Sequence, residues 1–192
     1  MEKVKNILLA GVGGQGIILA SKILSDGLIS AGYDVKMSEV HGMAQRGGSV
    51  TTQVRYGEKV YSPIIGKGQA DILVSFELME TSRWIEYLKM DGKVVINDYK
   101  IPSAPILIGK NDYPDHVIEH LKEKTSTTII NAFNIAKEIG NVRTMNVVIV
   151  GALVKAMGLD EIDWESVIRS NVKESFGDIN VRAFNMGLSM VH

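Results

Sequence analysis

The stretch Ile7-Leu8-Leu9-Ala10-Gly11-Val12-Gly13-Gly14-Gln15-Gly16 decides the fold of this chain. Its first four residues are apolar and predict a buried strand, and the glycines that follow predict a sharp turn into a helix. Such a turn exposes backbone N–H groups, and the first turn of the helix adds N–H groups that lack a partner within the helix. Glycine also lets a phosphate approach the backbone without meeting a Cβ atom. The candidates for binding a phosphate-bearing ligand are therefore Gly11, Gly13, Gly14, Gln15 and Gly16.

The rest of the chain alternates between strand and helix patterns and predicts a three-layer α/β/α fold. Strands are predicted at 4–10, 33–37, 49–56, 70–76, 93–98 and 127–130, with two short strands at 60–61 and 106–108. Helices are predicted at 14–31, 77–90, 114–123, 131–139, 143–157, 163–175 and 179–190, with Asp163 as an N-cap and Gly140, Gly158 and Gly177 as helix ends. The crossover rule predicts a parallel, right-handed βαβ opening. We expect a Rossmann-like, mostly parallel but mixed sheet, a helical C-terminal region and a single domain over residues 1–192.

Composition narrows the class of protein. The formal net charge is −1 over 192 residues, which gives no long-range attraction to nucleic acid or to an anionic membrane. The sequence has no run long enough to cross a bilayer and begins without a signal-peptide pattern, so we expect a cytoplasmic protein. Cysteine is absent, which excludes disulfides, a thiol nucleophile and thiolate-bound zinc or iron–sulfur clusters in this chain.

The glycine loop by itself is compatible with more than one function. Gly11, Gly13 and Gly16 fit G-x-G-x-x-G between a strand and a helix, which is typical of an NAD(P)-binding domain. Glu39 lies near the position from which an acidic residue holds the ribose hydroxyls in such domains. Alternatively, the glycines only allow the helix to pack closely on the strand, and the chain is a non-catalytic assembly protein.

A second loop, Glu39-Val40-His41-Gly42-Met43-Ala44-Gln45-Arg46-Gly47-Gly48, has neither a helical nor a strand period. A dinucleotide-binding domain does not need such a segment, and loops of this kind on a rigid sheet often bind ligands. Arg46 could hold a phosphate or carboxylate through two hydrogen bonds, His41 could titrate near neutral pH, and Gln45 could donate to a carbonyl. A surface ion pair for Arg46 and a bond to a nearby carbonyl for His41 are the simpler alternatives.

The two loops together resemble a known family. Val12-Gly13-Gly14-Gln15-Gly16, followed by His41-Gly42-Met43-Ala44-Gln45-Arg46-Gly47-Gly48-Ser49-Val50, is similar to the gamma-type subunits of 2-oxoacid:ferredoxin oxidoreductases. The second motif most resembles the small (beta) subunits of the indolepyruvate ferredoxin oxidoreductases. The resemblance is strongest over residues 7–56 and extends over nearly the whole chain, including Ala70-Asp71 and Asn185-Met186-Gly187.

This resemblance implies a reaction shared between subunits. Enzymes of this family decarboxylate a 2-oxoacid on thiamine diphosphate, pass electrons through [4Fe-4S] clusters to ferredoxin, and release a thioester of coenzyme A. The absence of cysteine fits a small subunit, inactive alone, whose larger partner holds the thiamine diphosphate and the clusters. This chain would then supply part of the active-site wall and of the coenzyme A site. The implied binding residues are those of the glycine loop with Gln45, Gly47 and Gly48, and the implied catalytic residues are His41 and Arg46.

Other polar residues have ordinary structural interpretations. His116 and His120 are spaced i, i+4 but lack a third ligand, so a solvated pair is expected rather than a metal site. Glu77, Glu80 and Glu86 near Arg83 are interpreted as the ion-paired face of a surface helix. Trp84 and Trp164 are predicted to anchor the core or an interface, and Asp98 is a minor ligand candidate at a strand end.

Overall fold

The computed structural model describes residues 4–41 and 47–191, without the side chains of His41 and Lys124. Within these residues six strands form one sheet: β1 (Lys5–Val12), β2 (Asp34–His41), β3 (Ser49–Gly57), β4 (Ala70–Ser75), β5 (Leu88–Asn97) and β6 (Ser126–Ile130). The same residues form eight α-helices: α1 (Ile17–Ser30), α2 (Leu78–Trp84), α3 (Ala104–Leu107), α4 (Val117–Lys124), α5 (Ala132–Ile139), α6 (Met145–Met157), α7 (Trp164–Asn171) and α8 (Gly177–Leu188).

The strands are ordered β2-β3-β1-β4-β5-β6 across the sheet. The pairs β1–β4, β4–β5 and β5–β6 are parallel, whereas β3 is antiparallel to both β1 and β2. The predicted mixed, mostly parallel sheet is therefore confirmed. The βαβ opening differs from the prediction in one respect: β1 and β2 run in the same direction, but β3 lies between them.

Alternation along β1 divides the core into two faces, because successive side chains of a strand point to opposite sides of the sheet. Ile7 and Leu9 lie in the larger cluster, which packs against α1 and the C-terminal helices α5 to α8. Leu8 and Ala10 lie in a smaller cluster on the other face, together with Ile65 from the connection between β3 and β4. Helices α2 and α4 cover β5 through a third cluster. The three-layer arrangement with a helical C-terminal region is thus confirmed.

The predicted short strand at 60–61 is wrong, because side chains satisfy the backbone of this connection. Val60 N–H donates to Asp34 Oδ2 (3.0 Å), and Ile65 N–H donates to Gln53 Oε1 (2.6 Å). Arg55 also donates to the carbonyl oxygens of Ser62 and Ile64. These bonds leave the segment irregular although it packs on the sheet.

Several other predicted elements and boundaries are corrected. The strand predicted at 106–108 overlaps α3, which has Pro105 in its first turn, where a proline ring suits the helical φ. The helix predicted at 77–90 ends at Trp84 and continues as a 3₁₀ turn to Tyr87, after which β5 begins at Leu88. Helix α7 ends at Asn171 rather than 175, and Gly177 begins α8 instead of ending a helix.

The remaining helix signals are confirmed. Asp163 accepts a hydrogen bond from Ser166 N–H (3.1 Å) and caps α7. Gly140 and Gly158 adopt left-handed conformations at the ends of α5 and α6, with φ of 101° and 67°. Left-handed residues at these positions are common helix stops because glycine meets no Cβ penalty there.

Candidate anion-binding site at the carboxyl edge of the sheet

The strand register brings the two loops of the sequence to the same edge of the sheet. Val12 at the end of β1 pairs with Ser49 at the start of β3, and His41 at the end of β2 pairs with Val50. Gly13 N–H donates directly to the Gly48 carbonyl oxygen at 2.9 Å. The glycine loop and Gly47–Gly48 therefore lie side by side where the parallel strands end, the usual place for ligands in open α/β sheets.

The glycines of the first loop serve different purposes. A Cβ on Gly11 would lie 2.8 Å from atoms of Gln15, Ile17 and Phe76, so packing requires this glycine. Gly16 has φ of 77° and caps α1, and its missing Cβ leaves room for the Asn146 amide. Gly14 has φ of 101°, but a Cβ there would meet no atom within 4 Å. Of these three glycines, only Gly14 faces open space, so a ligand can approach the backbone there.

Helix α1 extends this surface because it starts directly behind the loop. Its 14 residues run from Ile17, and its first-turn N–H groups have no partner within the helix. The helix dipole places partial positive charge at the same point, which favours a phosphate or carboxylate. The geometry therefore supports the predicted anion site on the backbone of the loop.

The Gln15 side chain points into the protein rather than toward this space. Its Oε1 accepts from Val12 N–H (2.8 Å) and its Nε2 donates to the Phe76 carbonyl oxygen (2.8 Å). Its backbone N–H bonds to the Val12 carbonyl oxygen at 3.2 Å. Gln15 thus belongs to the candidate site as part of the turn, with its side chain directed to the core.

Several residues predicted for the second loop lie beyond what is described. Gln45 and Arg46 fall outside the described residues, and for His41 only the backbone at the end of β2 is described. Gly47 has φ of 78°, and a Cβ there would meet no atom within 4 Å. The structure therefore joins Gly47 and Gly48 to the glycine loop, and the roles of His41, Gln45 and Arg46 stay predictions.

The position of Glu39 does not match that of a ribose-binding acid. In a dinucleotide-binding domain the second strand lies beside the first, whereas here β3 separates β2 from β1. Neighbouring strands lie about 4.8 Å apart, so the insertion moves Glu39 away from the glycine loop by one strand width. Glu39 instead lies against α1, where Ser21 Oγ donates to its Oε1 at 3.5 Å.

Two of the carboxylates predicted on a surface helix face, Glu77 and Glu80, are buried at this edge, so the prediction is wrong for them. Glu77 and Glu80 are 0% and 1% exposed, respectively. Glu77 accepts from Glu80 N–H (3.1 Å), Ile101 N–H (3.1 Å) and the Tyr113 hydroxyl. Glu80 accepts from Ser49 Oγ (2.5 Å) and from Arg83 and Trp84. The signal that favours this arrangement is the position of Glu77 directly after a buried strand and at the start of a helix.

Burial and Glu77 together change the acidity of Tyr113. Desolvation raises the pKa of the Tyr113 phenol, and its hydrogen bond to the Glu77 carboxylate raises that pKa further. Tyr113 also accepts a bond from Met79 N–H at 3.0 Å. This cluster fixes both the start of β3 and the connection after β5 against the first turn of α2.

The remaining candidates lie at several places in the fold. Within 4–41 and 47–191 no group of three or more metal-ligating side chains occurs, and His116 caps α4 in a left-handed conformation. Glu86 is on the surface and ion-paired, but it lies in the 3₁₀ turn after α2 and its partner is Lys67, at 2.8 Å. Trp164 is buried against Phe184, and Trp84 packs on Tyr87. Asp98 follows β5 and lines a small cavity of about 190 Å³ with Lys100 and His116. Among the described residues, none of the helices has the length and apolar character needed to span a membrane.

The chain is an α/β protein with a glycine-rich backbone loop, the candidate anion site, at the carboxyl edge of its sheet. Residues 6–190 match the pyruvate ferredoxin/flavodoxin oxidoreductase family, and the chain belongs to that family. It is 41% identical over 192 residues to indolepyruvate oxidoreductase subunit IorB of Thermococcus kodakarensis, covering 97% of this chain and 95% of that one. The resemblance found in the two loops is thereby confirmed.

Two solved structures share the fold. The gamma subunit of a keto/oxoacid ferredoxin oxidoreductase from Geobacter sulfurreducens has a TM-score of 0.72 at 24% identity, with 97% of each chain covered. A 2-oxoglutarate:ferredoxin oxidoreductase from Magnetococcus marinus, with 2-oxoglutarate, coenzyme A and succinyl-CoA bound, has a TM-score of 0.75 at 22% identity. The match covers 99% of this chain but 31% of that longer one.

Proposed function

We propose that this chain is the small subunit of an indolepyruvate-type 2-oxoacid:ferredoxin oxidoreductase, and that residues 1–192 form one gamma-type domain. The enzyme would convert an aryl pyruvate and coenzyme A into the acyl-CoA, CO₂ and reduced ferredoxin. The observation that carries this proposal is the 41% identity to an IorB subunit over nearly the full length of both chains.

The chemistry is divided between subunits in this proposal. Iron–sulfur clusters need thiolate ligands, and the chain has no cysteine, so its own residues do not fit a cluster. The larger partner subunit would bind the clusters and thiamine diphosphate, which supplies the decarboxylation chemistry, and would pass electrons to ferredoxin. No nucleic acid or membrane is part of the proposal, and the complex is proposed to be cytoplasmic.

The glycine loop is the part of this chain that fits coenzyme A. The diphosphate of coenzyme A needs backbone N–H donors without nearby side chains, and the open side of Gly14 beside the start of α1 provides such a surface. Gly11, Gly13, Gln15 and Gly16 shape the turn, and Gly47 and Gly48 form its neighbouring wall. In the proposal Arg46 and Gln45 complete the anion site, and His41 lies on the side where the thioester forms.

Co-purification tests the subunit assignment. The chain, carrying an affinity tag, is recovered under anaerobic conditions from the organism's own extract at native expression level, and its partners are identified by mass. We expect stoichiometric recovery of a larger, brown protein that contains thiamine diphosphate and iron–sulfur clusters. Recovery of the chain alone would contradict the proposal. Tight binding of a nicotinamide nucleotide by that isolated chain would then support the dinucleotide-binding alternative.

Substitution of Arg46 tests the anion site within the assembled complex. We expect Arg46→Ala to raise the KM for coenzyme A about tenfold or more, because a bidentate guanidinium–phosphate contact is lost. Arg182→Ala is the matched control, since Arg182 is an exposed arginine of α8. Unchanged coenzyme A and 2-oxoacid kinetics in an assembled Arg46→Ala complex would show that Arg46 has only a structural role.

A further inference from the structure

We propose that Gln15 and Asn97 are a pair of positioning residues that fix the glycine loop through one shared acceptor, the carbonyl oxygen of Phe76. Gln15 Nε2 donates to this oxygen at 2.8 Å and Asn97 Nδ2 donates to it at 3.1 Å. A carbonyl oxygen has two lone pairs, so these two amides fill its capacity. The expected effect on coenzyme A binding rests on the proposed function, whereas the expected effects on stability and on the structure of the loop do not.

Each amide also holds a backbone N–H with its other end. Gln15 Oε1 accepts from Val12 N–H at the end of β1 (2.8 Å). Asn97 Oδ1 accepts from Ala132 N–H in the first turn of α5 (3.0 Å). The result is a continuous set of hydrogen bonds, Val12 to Gln15 to Phe76 to Asn97 to Ala132, that connects the ends of β1, β4 and β5 with the start of α5.

Burial makes this set of bonds rigid. Gln15 is 8% exposed and Asn97 is 0% exposed, so water does not replace a partner that is lost. A buried polar group left without a partner costs more free energy than the bond contributed when formed. Gln15 would have to abandon two buried bonds to reach a ligand. Its side chain therefore holds the shape of the turn and leaves ligand contact to the backbone.

Substitution of Asn97 can distinguish a positioning role of Gln15 from direct contact between Gln15 and the ligand. Its side chain is fully buried and is linked to the glycine loop only through the Phe76 oxygen among the bonds of the described residues. If Gln15 acts by position, removal of the Asn97 amide disturbs the loop as well. If Gln15 contacts the ligand, Asn97 has no influence on binding. If both residues position the loop, the effects of their substitutions should also be non-additive, because the two side chains share an acceptor.

The test uses neutral variants of similar size, Gln15→Met and Asn97→Leu, and their combination in the otherwise full chain. Coenzyme A is the probe, titrated by calorimetry, and urea unfolding is measured without ligand. Val154→Ala is the matched control, since Val154 is a buried residue of α6 that takes part in none of the hydrogen bonds of these two amides. We expect each single variant to weaken coenzyme A binding about tenfold and the double variant to lose less than the sum.

A spectroscopic readout keeps the inference testable without ligand. In ¹H–¹⁵N spectra of the unliganded chain, Asn97→Leu should shift the Val12 amide resonance, whereas Val154→Ala should leave it in place. If Asn97→Leu does not fold, Asn97→Asp replaces it, because that side chain keeps the acceptor for Ala132 N–H.

Two results would overturn the inference. One is that Asn97→Leu binds coenzyme A like the unmodified chain and leaves the Val12 resonance unmoved. The other is that Gln15→Met weakens binding without any loss of stability. If the unmodified chain alone fails to bind coenzyme A, the titration is carried out on the assembled complex, and failure there would show that the proposed ligand is wrong. In either case, non-additive unfolding of the double variant and the Val12 shift still decide the pairing of Gln15 with Asn97.

Discussion

Glu77 is a buried carboxylate whose neighbours explain why it is tolerated. Three donors converge on it: two backbone N–H groups, from Glu80 and Ile101, and the Tyr113 hydroxyl. A buried charge costs several kcal/mol unless it is paired or fully hydrogen-bonded, and these donors supply that compensation. The bond from Glu80 caps α2, and the other two attach the connection after β5 to the start of this helix.

Tyr113→Phe tests this description at the level of one atom. The variant keeps the ring but removes the hydroxyl, so Glu77 loses a donor and Met79 N–H loses its acceptor. We expect the free energy of unfolding to fall by about 1–3 kcal/mol in urea at neutral pH. Tyr61→Phe is the control, because Tyr61 is 90% exposed and should show no change. Equal stability of Tyr113→Phe and the unmodified chain would contradict the role given to Glu77.

The raised pKa of Tyr113 predicts how stability depends on alkaline pH. The folded state holds the phenolic proton more tightly than the unfolded state, whose phenol has a pKa of about 10. The stabilisation is therefore complete below about pH 10 and is lost as the pH rises toward the higher folded pKa. Above pH 10 the stability of the unmodified chain should fall more steeply than that of Tyr113→Phe. Parallel pH profiles of the two proteins would disprove the assignment.

At the scale of elements, helices α6 and α8 cross with their backbones in close contact. A Cβ on Gly151 of α6 would overlap the Phe184 carbonyl oxygen, and a Cβ on Gly187 of α8 would overlap the Val148 carbonyl oxygen. Each helix thus places a glycine against the backbone of the other. Most of α6 is buried, with Val147 through Val154 all inaccessible, so the helix cannot move outward without opening the core.

Gly151→Ala is expected to be one of the most destabilising single-methyl changes in the chain. Alanine is the better helix former, so propensity alone would favour the variant. The backbone overlap acts against it and should lower the free energy of unfolding by about 2–3 kcal/mol. Asn185→Ala, at an exposed position of α8, is the control and should be close to neutral. A thermal melt in which Gly151→Ala gains stability would show that the helices separate at little cost.

At the scale of the whole molecule, the sequence predicts the features that depend on residues close together in the chain. The glycine loop, α1, and the ends of α5 and α6 follow from residues within a few positions of one another. The place of β3 between β1 and β2 does not, because it depends on pairing Lys5 with Tyr56 and Asp34 with Gly57. The burial of Glu77 and Glu80 does not follow from local signals either. Their spacing fits a charged helix face, and only partners distant in sequence bury them.

Asn146 connects the C-terminal helices to the first loop of the chain. Its Nδ2 donates to the Gly16 carbonyl oxygen at 3.1 Å, whereas its buried Oδ1 has no protein partner among the described residues. We expect Asn146→Ala to change overall stability by no more than about 1 kcal/mol, because one lost bond is offset by removal of an unpaired acceptor.

Hydrogen exchange should detect a local loosening at the start of α1 in Asn146→Ala that the overall stability does not report. In Asn146→Ala the Ala20 amide, which donates to the same Gly16 carbonyl oxygen at 3.1 Å, should exchange faster than in the unmodified chain, while the amides of β5 should not. Asn134→Ala, on the exposed side of α5, serves as the control. Unchanged exchange at the start of α1 would show that Asn146 does not hold Gly16.

The partners of the glycine loop are spread along the chain, and this affects the order in which the protein is assembled on the ribosome. The loop is among the first residues to be synthesised, but its hydrogen-bond partners are synthesised later. Gly13 bonds to Gly48, Gln15 to Phe76, and Gly16 to Asn146. The β2–β3 hairpin pairs locally and forms early, whereas contacts between distant residues form late because closing long loops costs entropy. The edge that we propose binds coenzyme A is therefore among the first parts of the molecule to be synthesised and among the last to take its final shape.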